Sequence, residues 1–377
     1  MAIHEVLYSV GDLMVSDSPL YVSVGFGSIY EQIKGHLFDS CRSEFNDADI
    51  VIGNLETVVH TPIRKNLREL QMACDETVVK EIRDAGFSVL NIANNHCMQH
   101  GTDGFINTIK TCTNNGMICV GEKNKEPIIR KVLDGLNFYF LSICLYTEFY
   151  RPEDVMYEDD IQKIIRDIKK IRENDDNGVI VLSIHWGDEF ATHPSPTQVK
   201  LAHILVDCGT DIILGHHSHT FQGIEKYRGS LILYSQGNFI SDMVPELCRD
   251  TGVVRIDISY ENGKKDISYS FSPYHINDNC IPVQSKGDWF EIRQSELNKV
   301  IDCEISDGEY RNMVSINHKT CHDTFRHRFI HGVKDYNKMI YIQMLQAFIE
   351  RKIKKKTGTY PKRFDLDKTL ELAKKSL

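Results

Sequence analysis

A chain of 377 residues, 41% hydrophobic and 26% charged, is long enough for one large or two ordinary globular cores, and its make-up fits neither a disordered nor a membrane-spanning chain. Its formal net charge of −9 argues against general nucleic-acid binding. No apolar run approaches the roughly 18–20 residues of a transmembrane segment, and eleven cysteines without a CxxC pair read as reduced thiols in a cytoplasmic protein.

The chain opens on a strand, "HEVLYSVGDLM", that ends in Gly-Asp, with no basic leader and no small-residue cleavage site before it. Residues 49–52 form a second apolar strand, followed by Gly-Asn-Leu-Glu. "ETVVKEIRDAG" reads as a helix stopped at Gly86, and residues 88–92 as a strand ending in Ala-Asn-Asn-His. A helix from Gly101, an Asn-Asn-Gly turn and a short strand follow, then the strand "NFYFLSICLY". Ile161, Ile164, Ile165, Ile168 and Ile171 have the spacing of an amphipathic helix. "GVIVLSIHWGDEF" is a strand ending in His-Trp-Gly, and "SPTQVKLAHILVDCGT" is a helix with Ser195 or Thr197 near its cap and Gly209 at its end. "DIILGHHSH", "SLILYSQGNF", "GVVRIDISY" and "KKDISYSFSPYHI" supply the remaining strands.

Strands alternating with helices through residue 220 predict an α/β sheet, and the run of strands after 229 predicts a second sheet or an antiparallel continuation. The alternation stops near 285. Two units are therefore expected: an α/β domain over 1–285 and a mainly helical extension over 286–377, with a long helix at about 334–356.

Chemistry-bearing residues collect just after the strands. Asp12 follows the first; Asn54 and Glu56 the second; Asn94, Asn95 and His96 the third; His185 a later one; His216, His217 and His219 the next. Ligands of α/β proteins gather beyond the carboxyl ends of the strands, so five strand ends deliver acid, amide and imidazole groups to one rim. Oxygen and imidazole donors together suit divalent ions such as Zn, Mn or Fe. A carboxylate such as Glu56 can bridge two ions roughly 3.5–4 Å apart, where the water between them becomes a nucleophile near neutral pH. His96, beside Asn95, is free to act as an acid or an oxyanion stabiliser.

The series "GD-L-M", "NLE", "ANNH", "HWGDEF", "GTDIILGHHSH" and "YSQGNF" resembles the CapA capsule-synthesis family, also called poly-gamma-glutamate biosynthesis proteins, within the calcineurin-like metallophosphoesterase superfamily. The resemblance runs from about residue 5 to 275. It implies a four-layer α/β/β/α sandwich with two divalent metal ions (Mn, Zn, Fe or Mg) at the sheet rim. By position, Asp12 resembles a ligand of one metal, Glu56 the bridging carboxylate, Asn95 and His185 ligands of the second metal, and His217 and His219 a pair divided between them. His96 resembles the catalytic histidine. His216 is read as a bystander, since side chains of neighbouring strand residues point to opposite faces.

Other superfamily members carry Asp-x-His in the first motif. Met14 stands here instead, a loss the CapA family shares, and a thioether is a poor ligand for a hard ion. Family members are tethered to the bacterial membrane by an N-terminal segment, whereas this chain starts almost at its first strand and is expected to be soluble.

The resemblance implies a metal-dependent hydrolase of phosphoester or related bonds, acting on an anionic or phosphorylated small molecule or polymer in the synthesis or processing of poly-gamma-glutamate or capsule. The alternative is a non-catalytic, polymer-binding partner of a synthase or exporter. Asn54, Asp188, Glu189 and Asn238 are candidates for substrate binding. His318, Cys321, His322, His327 and His331 lack a standard zinc spacing and are read as structural. Residues 339–377 hold ten Lys/Arg against four Asp/Glu. That stretch is read as a solvated helix end, with an acidic partner, an anionic polymer or a membrane surface as the alternatives.

Overall fold

Nine consecutive buried residues run through β1 (Ile3–Leu13), so this strand is covered on both faces. The structure, a computed structural model, describes residues 3–131, 136–146, 155–286, 288–357 and 365–377. After β1 come α1 (Phe26–Ile33), β2 (Ile50–Asn54), a small ribbon of β3 (Val58–Val59) and β4 (Ala73–Cys74) around α2 (Leu67–Leu70), then α3 (Glu76–Asp84), β5 (Val89–Asn91), α4 (Gly101–Asn114) and β6 (Ile118–Val120). The next elements are β7 (Ile128–Lys131), β8 (Asn137–Cys144), α5 (Ile161–Asn174), β9 (Val179–His185), α6 (Pro196–Asp207), β10 (Ile212–His216), β11 (Ile224–Tyr227) and β12 (Ser230–Leu233). The strands end with β13 (Asn238–Ile240), β14 (Asp250–Glu261), β15 (Lys264–Ile276) and β16 (Pro282–Gln284). Among the described residues, four helices follow: α7 (Trp289–Ile301), α8 (Asp307–His331), α9 (Lys338–Lys356) and α10 (Leu366–Lys374).

The first sheet runs β16-β15-β14-β1-β2-β5-β6, with β13 also paired to β1. The second runs β11-β12-β10-β9-β8-β7. The strands after residue 229 divide between the two: β12 completes the second sheet, and β13 to β16 return to the first. Leu7, Ile52 and Val254 of one sheet meet Phe138, Val181 and Leu214 of the other in a shared apolar layer. Phe26 and Tyr30 of α1 and Val78 and Ile82 of α3 cover the outer face of the first sheet. The predicted isoleucines of α5, with Leu201 and Leu205 of α6, cover the outer face of the second. Three apolar layers thus separate helix, sheet, sheet and helix, the α/β/β/α order.

Local signals set the ends of these elements. Ser195 caps α6 in a reciprocal pair with Gln198, and Pro196 takes the first helical position, where its missing N–H costs nothing. The extension is helical, and its long helix α9 begins at Lys338, where Asn337 accepts from the Met339 and Ile340 backbone. Leu297 and Val300 of α7 and Leu370 and Ala373 of α10 join the core outside the second sheet. All eleven cysteines are free thiols. Among the described residues, no helix is long and apolar enough to cross a membrane.

Candidate metal centre

Strand register builds the rim. Parallel pairing sets Asp12 beside Asn54 on β2 and beside Asn238 on β13. Asn54 in turn sits beside Asn91 of β5, and in the second sheet His216 sits beside His185. Both sheets therefore present polar residues at the same end. Glycines allow neighbouring strands within each sheet to come close at this end: a methyl group on Gly11 would collide with the Gly237 carbonyl, and one on Gly215 with the Tyr234 carbonyl.

Two sets of ligand atoms converge there, Glu56 with His185 and His217, and Asp12 with Glu56 and His219. Within each set the atoms lie within 4.8 Å of one another, and Glu56 belongs to both. All five residues are fully or almost fully buried. His185 Nε2 stands 2.9 Å from Asn95 Oδ1, 3.1 Å from His217 Nδ1 and 3.7 Å from Glu56 Oε1. His96 Nε2 faces the same Glu56 oxygen at 3.9 Å, while its Nδ1 donates to Gln99 Oε1 at 2.8 Å. Asn95 and His96 retain slight exposure and mark the open side of the cluster.

The surroundings hold these groups in place. Asn54 Nδ2 donates to Asp12 Oδ1 at 2.9 Å and to Glu56 Oε2 at 3.4 Å. Its own carbonyl accepts from Asn91 and Asn94, and Ser142 Oγ donates to Asn91. His219 Nδ1 donates to Asn238 Oδ1 at 2.9 Å, and Asn238 Nδ2 donates to the Cys248 carbonyl. Asn54 and Asn238, read from sequence as substrate contacts, thus bond to members of the cluster. Asp188 accepts from the Tyr310 hydroxyl of α8 at 3.1 Å, and Glu189 is half-buried beside it.

His216 departs from its expected bystander role. It is buried, and its Nδ1 donates to Asp12 Oδ1 at 2.8 Å. Alternation fails because the backbone leaves the extended region just after it: φ is +93° at His217 and +58° at His219. Left-handed backbone at two non-glycine residues is unfavourable and persists where surroundings enforce it, commonly at functional sites. It lets three histidines in four positions face one centre.

Burial opposes ionisation of Asp12, but the His216 hydrogen bond and the charges of His216 and His219 hold its carboxyl below the usual range. Burial, followed by repulsion from His217, His216, His219 and His96, drives His185 well below the ordinary histidine range and keeps its ring neutral. Neutral imidazole and ionised carboxylate are the protonation states that bind metals. Burial pushes the nearby Cys97 thiol up to about 12 and Cys144 well above its usual value, so neither supplies a thiolate. Carboxylate oxygens, imidazole nitrogens and the Asn95 amide oxygen crowd together at distances that only partly match hydrogen bonds, a donor set that fits divalent ions. Met14 is buried, with its sulfur accepting from Ser241 Oγ at 3.6 Å.

A family model for the bacterial capsule synthesis protein PGA_cap matches residues 6–243, well over half of the chain. The chain belongs to this family. It is 30% identical over 291 residues to the PGA biosynthesis protein CapA of Bacillus subtilis (strain 168), covering 72% of this chain and 74% of that one. It is 28% identical over 270 residues to the capsule biosynthesis protein CapA of Bacillus anthracis, covering 67% of this chain and 64% of the relative's length.

Every candidate ligand lies inside the PGA_cap match. Sequence reasoning placed His216 at the rim but read it as a bystander, and it missed Asn91 and Gln99 in this PGA_cap site. Asn91 had a signal: it is an amide inside an otherwise apolar strand, where a polar group needs a partner. Gln99 had the three-residue spacing from His96 that closes a turn, but nothing in its type singled it out. The histidine-rich segment of α8 brings His327 and His331 to a ring separation of 4.3 Å, and among the described residues the three-member ligand sets occur only at the rim.

Proposed function

We propose that this PGA_cap protein is a metal-dependent hydrolase that cleaves a phosphoester or related bond in the making or processing of a bacterial surface polymer. The observation that carries the reading is Glu56, whose carboxylate belongs to both ligand sets. Asp12 and His219 would hold one ion, His185, His217 and Asn95 the other, and Glu56 would be shared. When bound, divalent ions supply charge that activates water and stabilises negative charge on the substrate.

The chain's own groups have distinct tasks in this reading. Asn54 orients both carboxylates, and Asn238 orients His219. His96 is the catalytic residue: the Nδ1 bond to Gln99 fixes its ring, leaving Nε2 toward the centre to hold or deliver a proton. Asp188 and Glu189 lie on the loop after β9 and would line the approach for substrate.

The names of the Bacillus relatives support a role in polymer synthesis and do not specify the bond broken. A second reading, a polymer-binding partner of a synthase or exporter without catalysis, is favoured by Met14, a buried thioether at the first-motif position where other members of the superfamily it resembles carry a histidine. Metal content of the purified chain, measured with turnover of an aryl phosphate, tests the choice. The hydrolase reading expects divalent metal and turnover, both lost in Glu56→Gln. Metal-free protein that binds polyglutamate and turns over nothing would establish the second.

A further inference from the structure

One strongly patterned surface lies outside the metal centre. Helix α9 is 19 residues long and carries two apolar faces. Ile340 and Met344 are buried against Val22 and Tyr336, with Leu67, Leu70 and Tyr341 partly buried around them. Gln343 Oε1 accepts from the Leu67 backbone N–H at 2.7 Å. The helix is therefore anchored by one side. Met339, Ile342, Leu345, Phe348, Ile349 and Ile353 are each between 39% and 61% exposed. At 100° per residue, five of these six (all but Phe348) fall within an arc of about 120° on the side away from Ile340 and Met344. A stripe this long on a soluble face marks an interaction site.

Charge identifies the occupant. The α9 segment holds six Lys/Arg against the single acid Glu350, in a chain whose net charge is −9. Lys338 begins the helix, and Arg351, Lys352, Lys354 and Lys356 crowd its last turns. Lys338, Lys352 and Lys356 fall along or beside the apolar stripe, at its two ends. A second copy of α9 would set like charges against one another. A surface that is apolar beneath and anionic above complements both features: the hydrophobic side chains enter the headgroup boundary, and the long lysine stems carry their ammonium groups back to the phosphates. The charge also keeps α9 in the plane of such a surface rather than across it.

We propose that the outer face of α9 docks this protein on an anionic lipid bilayer. This role, unlike the solvated helix end expected from the sequence, does not depend on the metal centre, so loss of one does not imply loss of the other. Residues 358–364 of the basic stretch lie outside the described residues and are not needed for it.

Flotation of the full chain with phosphatidylcholine vesicles containing phosphatidylglycerol, at about a third of the lipid, tests the proposal against pure phosphatidylcholine. The parent should float with the anionic vesicles and bind at least ~tenfold more weakly to neutral ones or in high salt. Ile342→Ser with Ile349→Ser, and separately Lys352→Glu with Lys356→Glu, should each weaken binding at least ~tenfold. Both pairs are exposed, so thermal unfolding should match the parent and separate lost docking from lost folding. No flotation of the parent, or equal flotation of both variants, overturns the proposal. Self-association that Ile342→Ser with Ile349→Ser abolishes, without vesicle binding, would also overturn it and assign the face to a second copy.

Discussion

His216 Nδ1 donates to Asp12 Oδ1 across a distance of 2.8 Å, joining the end of β10 in one sheet to the end of β1 in the other. Asp12 also accepts from Asn54, so its carboxylate is gripped from both sheets. A ligand carboxylate held by such partners keeps the orientation that binding requires. His216→Ala should leave the fold intact and weaken metal retention by about 10–100-fold. Competition with a graded series of chelators reads this directly. Retention equal to the parent's would mean that His216 serves packing alone.

Gly215 lies against the Tyr234 carbonyl, where a single methyl group has no room. Backbone atoms cannot swing aside as a side chain can, so Gly215→Ala must push β10 away from the residue after β12. The expected cost is roughly 1–3 kcal/mol, read as a lower denaturation midpoint with an unchanged slope. The adjacent His216 would shift with the strand. A midpoint equal to the parent's would show that β10 and the chain leaving β12 lie less tightly together at this point.

Much of this centre was legible because it depends on strand ends. Asp12, Glu56, Asn95, His185 and the His217/His219 pair each follow an apolar run, and apolar runs are readable from residue type. His216 was not legible, because the left-handed turn at His217 depends on the packed rim rather than on local preference. The return of β13 to β1 was equally hidden, since a pairing across more than two hundred residues leaves no local trace. Helix α8 buries only Tyr310, Cys321 and Phe325 over 25 residues, so its pattern lacked the apolar stripe that made α5 plain.

Asp242 gives a pH dependence with a definite sign. Burial, followed by the charge of neighbouring Asp17, pushes its carboxyl up to about 7. An unfolded aspartate releases its proton near pH ~4, so from there to about neutrality the folded form holds a proton that the unfolded form has lost. Stability from this group is full below that window and falls as pH rises through it. Asp242→Asn removes the ionisation while its amide oxygen can still accept from the Ser18 backbone. Thermal midpoints should match the parent's at about pH 4, and the variant should gain with rising pH, by at most roughly 4 kcal/mol above pH 7. A constant difference across the range would place the buried charge elsewhere.

Phe325 links the C-terminal extension to the rim. Its ring lies 6.0 Å from that of Phe190, which in turn lies 6.4 Å from the ring of His219. Two hydrogen bonds tie the same loop to α8, from Tyr310 to Asp188 and from Asn317 to the Phe190 carbonyl. Phe325 is 8% exposed, and removing its ring leaves a cavity between helix and loop. Phe325→Ala should cost about 3–5 kcal/mol if α8 unfolds only with the whole domain, and less if α8 can lift away first. Amide exchange separates these outcomes. Faster exchange confined to α8 and residues 187–190 would show the helix to be a separable wall of the centre, whereas a uniform change across both sheets would make it part of one cooperative unit.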